Sequence, residues 1–367
     1  MEWMIYGANG YTGELIAREA KRQGESPILA GRSAARIVAL ASKLTLTSKA
    51  FRLERPFEIA EALRGVRLVL NCAGPFSQTA DALMRECIAA KAHYLDITGE
   101  IDVLEGAHRF DAAAKAAGVV LCPGAGFDVV PTDCVALMLK KALPEATELA
   151  LGFEVSGRRM SAGTAKTLVE GLGKSGKIRR AGRIVDCPLG RGLRRIDFGR
   201  GAKLAMPIPW GDVASAFYTT GIPNITVFTP ISPLSASIAR LTTAFRPVLQ
   251  SPRLQNWLIR KIEKDVRGPD VSTRNANPSF VWGEAKDARG RSHAIRMVTL
   301  NGYSLTVFSS LALAQLVMSN ACPPGCWTPA GLAGENFILS LPGTSKLDLP
   351  HQIAKRVRSS RAGPSVN

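Results

Sequence analysis

"MIYGANGYTGELIA", residues 4–17, decides how the first third of the chain is read. An apolar run meets Gly7, Gly10 and Gly13, and a helical pattern follows at once. The spacing is Gly-x-x-Gly-x-x-Gly, with Asn9 where the usual dinucleotide fingerprint has a glycine. Gly7 suits a tight turn, Asn9 tolerates positive φ, Gly10 lets a pyrophosphate approach the backbone, and Gly13 lets helix and strand pack closely. The free N–H groups and partial positive charge of the helix start would then face the phosphates.

Outward from this turn, short apolar runs alternate with helical patterns, the signature of consecutive β-α units. Strands are expected at residues 3–6, 27–30, 68–72, 94–97 and 119–122, and helices at 13–22, 34–43, 79–90, 103–117 and 131–143. The crossover rule makes this a right-handed, doubly wound parallel sheet over residues 1–143. The second strand ends in "AGRS", where an NAD-dependent protein would carry Asp or Glu for the ribose 2′-hydroxyl. Arg32 stands there instead, followed by Ser33. A guanidinium can stack on adenine and grip a 2′-phosphate, so NADP(H) is the expected cofactor.

After Pro144 the pattern changes to alternating strand-like runs, which suggests a second α/β domain with a mixed sheet over residues 144–321. A hairpin is expected around Asp287 to Gly290, and "YSLTVFSSLALAQLVM" reads as a buried helix. Residues 234–264 carry apolar residues at helical spacing with Arg and Lys between them, consistent with two short basic amphipathic helices. The charge-rich tail, residues 348–367, reads as disordered.

Composition narrows the class. With 46% hydrophobic and 21% charged residues the chain can bury a large core, and it lacks an apolar run long enough to span a bilayer. No leader pattern is visible at the start, so a cytoplasmic location is expected. Seven scattered cysteines fit reduced thiols better than a disulfide framework, and no metal-ligand spacing appears. The formal charge of +17 is concentrated between Arg158 and Lys203 and in the tail. Without nucleic-acid motifs or interleaved aromatics, a solvated basic face, an anionic ligand or an anionic membrane surface accounts for it better than DNA or RNA.

Taken in order, "GANGYTG", "LAGR", "NCAGPF", "YLDITGE", "PGAGFDVVPTDC", "GTAKTLVEGL", "VWGEAKDARGR" and "TPAGLAGENFILSLPG" resemble the saccharopine dehydrogenase-like family, in particular its bacterial branch related to trans-acting enoyl reductases. The resemblance covers residues 3–347. It implies an NADP-binding Rossmann domain, a second α/β domain, and a C-terminal segment, residues 322–347, that returns to the Rossmann domain. It also implies that Gly7, Asn9, Gly10, Tyr11, Thr12 and Gly13 hold the pyrophosphate, and that Cys72, Ala73, Gly74, Pro75 and Phe76 lie along the nicotinamide ribose. The family's members act on substrates as different as lipid-linked precursors and charged amino-acid conjugates, so the substrate does not carry over.

Hydride transfer asks little of the protein beyond positioning and a proton donor. Asp128, in a glycine-rich strand-to-helix loop, aligns with an acidic residue near the active site of saccharopine-type enzymes and is the first candidate. Lys166 is a candidate cation near substrate, and Tyr218 or Tyr94 could donate a proton. Asp96 and Glu100 either line the crevice or satisfy nearby backbone N–H groups. The expectation is an NADPH-dependent oxidoreductase, monomeric or homodimeric, reducing a C=C or C=N bond in an apolar, small-molecule or lipid-like substrate; the alternative is a non-catalytic NADP-binding sensor or membrane-surface scaffold.

Overall fold

The computed structural model describes residues 2–157, 160–171, 175–241, 246–266 and 268–347; the expected tail falls outside them. Its strands are β1 (Glu2–Tyr6), β2 (Ile28–Gly31), β3 (Ser48–Ala50), β4 (Val66–Asn71), β5 (His93–Asp96), β6 (Val120–Cys122), β7 (Ala146–Val155), β8 (Gly176–Arg180), β9 (Arg183–Cys187), β10 (Arg194–Asp197), β11 (Ala202–Ile208), β12 (Asn224–Pro230), β13 (Ser279–Asp287), β14 (Ser292–Thr299), β15 (Gly325–Cys326) and β16 (Ser345–Leu347).

The first sheet has the order β15-β6-β5-β4-β1-β2-β3, and every pairing in it is parallel. This is the doubly wound order with its switch between β1 and β4, which opens a crevice at the carboxyl edge. Both faces are covered, so alternate residues of β1 enter different cores: Trp3 and Ile5 on one side, Met4 and Tyr6 on the other. β3 and the helix Pro56–Ala62 were not expected from the sequence. β3 is three residues of mostly polar sequence, too short for a periodic signal. The helix expected at 103–117 is two helices, Ile101–His108 and Asp111–Ala117.

The second sheet runs β10-β11-β12-β7-β13-β14-β16, with the β8-β9 hairpin attached to β12. Only the β12-β7 pairing is parallel, so the sheet is mixed. The β13-β14 hairpin forms as expected, its turn held by Asp287 Oδ1, which accepts the N–H groups of Arg289 and Arg291, each at 2.9 Å. In the basic region the described residues form the helical segments Pro233–Leu241, Arg246–Leu249 and Pro252–Asp265, and residues 242–245 lie outside the described residues.

Between the sheets lies the helix Val130–Ala142, buried from Val130 to Ala136 and again at Met138 and Leu139. Its residues share one core with Leu149 and Leu151 of β7, Val281 of β13, and Leu305 and Leu313 of the helix Gly302–Met318. The two sheets therefore share one apolar core.

Candidate active site

The glycine turn is built by contact. Gly7 has φ +79°, and a Cβ on it would stand 2.7 Å from the Ala73 nitrogen, so the turn lies directly against the end of β4. Gly7 and Ala8 donate to the Ala30 carbonyl at 2.8 and 3.1 Å, which ties the turn to β2. Gly13 faces the Gly7 carbonyl and Ala8 Cα so closely that no side chain fits. One expectation is corrected: Asn9 is not among the residues with positive φ. Gly7 takes the left-handed position, and the Asn9 amide oxygen would lie 3.0 Å from a Cβ on Gly31. Helix Tyr11–Arg22 then starts at Gly10 with no side-chain cap, leaving its first N–H groups available to an anion.

Arg32 follows the last residue of β2, is exposed, and has no hydrogen bond or ion pair among the described residues. Ser33 stands at the N-cap of helix Ala34–Leu44, and its side chain makes no capping hydrogen bond. These features fit a 2′-phosphorylated dinucleotide: room at the turn, free helix N–H groups, and a guanidinium without a counter-ion.

A buried polar chain braces the next loops. Ala73 N–H donates to Asn71 Oδ1 at 3.0 Å, and Asn71 Nδ2 donates to Thr79 Oγ1 and Tyr94 Oη, both at 3.1 Å. Tyr94 donates to Asp96 Oδ2 at 2.8 Å, while Asp96 Oδ1 accepts N–H groups from Thr98 and Gly124 at 3.0 and 2.9 Å. Burial raises the Asp96 carboxyl to about 6. Glu100 accepts the N–H groups of Phe76 and Ser77 at 2.8 Å each. Asp96 and Glu100 thus brace the loops at the strand ends by satisfying backbone N–H groups, and Tyr94 links Asp96 to Asn71.

Asp128 sits on the loop between β6 and helix Val130–Ala142, half-buried, with Gly99 against it: a Cβ there would lie 2.8 Å from Asp128 Cβ. Trp210 Nε1 donates to the Asp128 carbonyl at 2.9 Å. Phe153 lies 4.8 Å from Trp210 and 5.7 Å from Phe127 between ring centroids, so apolar rings flank the loop. Burial pushes the Asp128 carboxyl up to about 7. Its neighbours Asp133 and Asp212 are also raised by burial, Asp133 to about 6.

Tyr303 was missed from the sequence, since Asn301-Gly302 reads as a turn. Asn301 in fact caps a helix, accepting Tyr303 N–H at 3.1 Å. The Tyr303 hydroxyl accepts Ser161 N–H at 2.6 Å and lies 3.1 Å from Thr164 Oγ1.

Tyr218 and Lys166 lie on two helices of the second half of the chain. Tyr218 donates to Glu105 at 3.1 Å and stacks on His108 at 3.5 Å, near the far end of helix Asp212–Thr220. Lys166 is half-buried on helix Ala162–Gly171, which packs against Pro252–Asp265. Two cavities, of about 310 Å³ beside Trp3 and Leu311 and about 520 Å³ beside Arg180 and Glu284, lie away from the loops described. The strand ends locate the site here better than hollow volume does, because they gather the glycine turn and the raised carboxyl. Among the described residues no group of three or more His, Cys, Asp or Glu could hold a metal ion.

Residues 3–122 match the family described as "Saccharopine dehydrogenase NADP binding domain". The "Saccharopine dehydrogenase-like oxidoreductase" of Mus musculus is 26% identical over 209 residues, 50% of this chain and 48% of that protein. The "Trans-acting enoyl reductase" of Mycobacterium bovis (strain BCG / Pasteur 1173P2) is 26% identical over 203 residues, 50% of this chain and 48% of that protein. The chain thus spans about half the length of these curated relatives. The apo structure of saccharopine dehydrogenase (L-Glu forming) from Saccharomyces cerevisiae shares the fold, with a TM-score of 0.62 at 10% identity over 95% of this chain and all of the other. Residues 3–122 thus match a family described as an NADP-binding domain, which supports a nicotinamide dinucleotide as the cofactor.

Proposed function

We propose that the chain is an NADPH-dependent oxidoreductase that reduces a C=C or C=N bond of a largely apolar substrate, with Asp128 as its proton donor. The observation that carries this reading is Asp128: a carboxyl raised by burial to about 7, beside aromatic rings at the carboxyl edge of the nucleotide-binding sheet. Such a reduction consumes one hydride and one proton. NADPH supplies the hydride, and an acid titrating near neutrality can both give the proton and regain it from water. Phe127, Phe153 and Trp210 favour an apolar substrate, and the likeness to a protein named trans-acting enoyl reductase favours C=C. Lys166 and Tyr218 take no part in this version, Tyr218 because its hydroxyl is engaged by Glu105 at the far end of its helix.

A lipid surface is the proposed source of substrate. Helix Pro252–Asp265 exposes Trp257 with Arg253, Arg260, Lys261 and Lys264 on neighbouring turns, while Leu234 and Ile238 are exposed on helix Pro233–Leu241. This combination suits peripheral contact with an anionic membrane. Among the described residues no helix is long and apolar enough to cross one. The nucleic-acid alternative is weakened by ion pairing within the basic stretch: Lys177 with Asp186, Arg179 with Glu105, Arg194 with Glu284 and Lys203 with Glu154.

The test is NADPH oxidation, followed by absorbance, with 2-enoyl thioesters of increasing chain length and with cyclic imines, with and without phosphatidylserine vesicles. Turnover that rises with chain length supports the reading. Tight NADPH binding with no turnover on any substrate would favour the non-catalytic alternative.

A further inference from the structure

The first side chain of the nucleotide helix is held by the other half of the molecule. Tyr11 donates its hydroxyl to the Pro269 carbonyl, and Arg274 Nη1 donates to that hydroxyl at 2.9 Å and to the same carbonyl at 3.0 Å. The Tyr11 ring meets Tyr303 edge-on, with centroids 5.1 Å apart. Gly268 lies so close to the Tyr11 ring that a Cβ there would run into it. A segment more than 250 residues away in sequence is thus fitted to one residue of the glycine turn.

Charge gives the contact its meaning. A dinucleotide brings a doubly charged pyrophosphate to a helix start whose own partial charge is about half an elementary charge. Residues 7–13 and 72–76 contain no Lys or Arg to balance the rest. Arg18, about two turns along the helix, is paired with Glu14. Arg274 bonds only neutral oxygens, both through Nη1, and among the described residues it has no carboxylate within ion-pair distance. A guanidinium has five N–H donors, so Nε and Nη2 remain available.

We propose that Arg274 is a ligand of the cofactor pyrophosphate, supplied by the second half of the chain and aimed by the Tyr11 hydroxyl. The proposal rests on the cofactor assignment above. It makes the site composite, because the arm that places the cation follows directly on the exposed basic helix Pro252–Asp265.

Fluorescence titration of the full chain with NADPH, and competition by adenosine 2′-monophosphate, separate the subsites, since the second ligand has no pyrophosphate. Arg274→Gln is expected to weaken NADPH at least about tenfold, roughly 1.4 kcal/mol, and to leave the 2′-monophosphate within about twofold. Arg32→Ala is expected to weaken both. Tyr11→Phe keeps the ring against Tyr303, tests the aiming hydroxyl with little risk to folding, and should weaken NADPH about threefold or more. NADPH affinity unchanged in both Arg274→Gln and Tyr11→Phe overturns the proposal, as does an equal loss of both ligands in Arg274→Gln. A wild-type chain that binds the 2′-monophosphate but not NADPH also overturns it, whereas one that binds neither removes the cofactor assignment beneath it.

Discussion

Replacing Asp128 with Asn should make the protein more stable while removing its activity, and the gain should depend on pH. The native carboxyl titrates near 7 and the unperturbed one near 3.8, a rise of about three pH units. At 1.36 kcal/mol per unit the ceiling is about 4 kcal/mol. Asp128 is only half-buried, so hydration reduces this, and about 1–2 kcal/mol is the working expectation. The sign follows from proton counts. Between pH 4 and 7 the folded state holds the proton more than the unfolded state does, so ionisation erodes wild-type stability as pH rises. Asn never ionises, and it preserves the shape beside Gly99 and the carbonyl bond to Trp210. Urea unfolding of both proteins from pH 4 to 8.5 should show a stability difference near zero at pH 4, growing through pH 6 and flat above about pH 7.5. Asp96 and Asp133 titrate in the same window, but they are present in both proteins and largely cancel. A difference that does not change with pH, or a variant less stable at pH 8 than at pH 4 relative to wild type, would refute the buried-acid argument.

The glycines of the turn should separate stability from binding. Gly13→Ala places a methyl group against immobile backbone and is expected to cost about 2–3 kcal/mol in urea unfolding and to lose NADPH. Gly10→Ala meets only the Gly7 oxygen, at 3.2 Å, so it should unfold within about 1 kcal/mol of wild type yet bind NADPH at least about tenfold more weakly, because its methyl occupies the pyrophosphate approach. Arg32→Ala should reduce the preference for NADPH over NADH by about tenfold or more, measured as the ratio of the two dissociation constants.

The glycine spacing, the strand-helix alternation and Arg32 at the end of β2 were legible because each is a local matter. A turn, a period and a position along one β-α unit are set by residues within about twenty positions of one another. The roles of Asp96 and Glu100 were left open because a carboxylate at a strand end looks the same whether it faces a ligand or a backbone N–H. Only the fold showed Phe76, Ser77, Thr98 and Gly124 as the donors. Tyr218 read as a proton donor from its residue type alone, and packing placed it against His108 and Glu105.

By itself the sequence determined a doubly wound parallel sheet with a glycine-rich first turn and the presence of a mixed second sheet. The tertiary structure decided that helix Val130–Ala142 lies within a core common to both sheets, that Asp128 is buried enough to titrate near neutrality, and that Arg274 reaches Tyr11. Those outcomes depend on desolvation and on contacts between residues up to 263 positions apart, and neither leaves a mark on local periodicity or spacing.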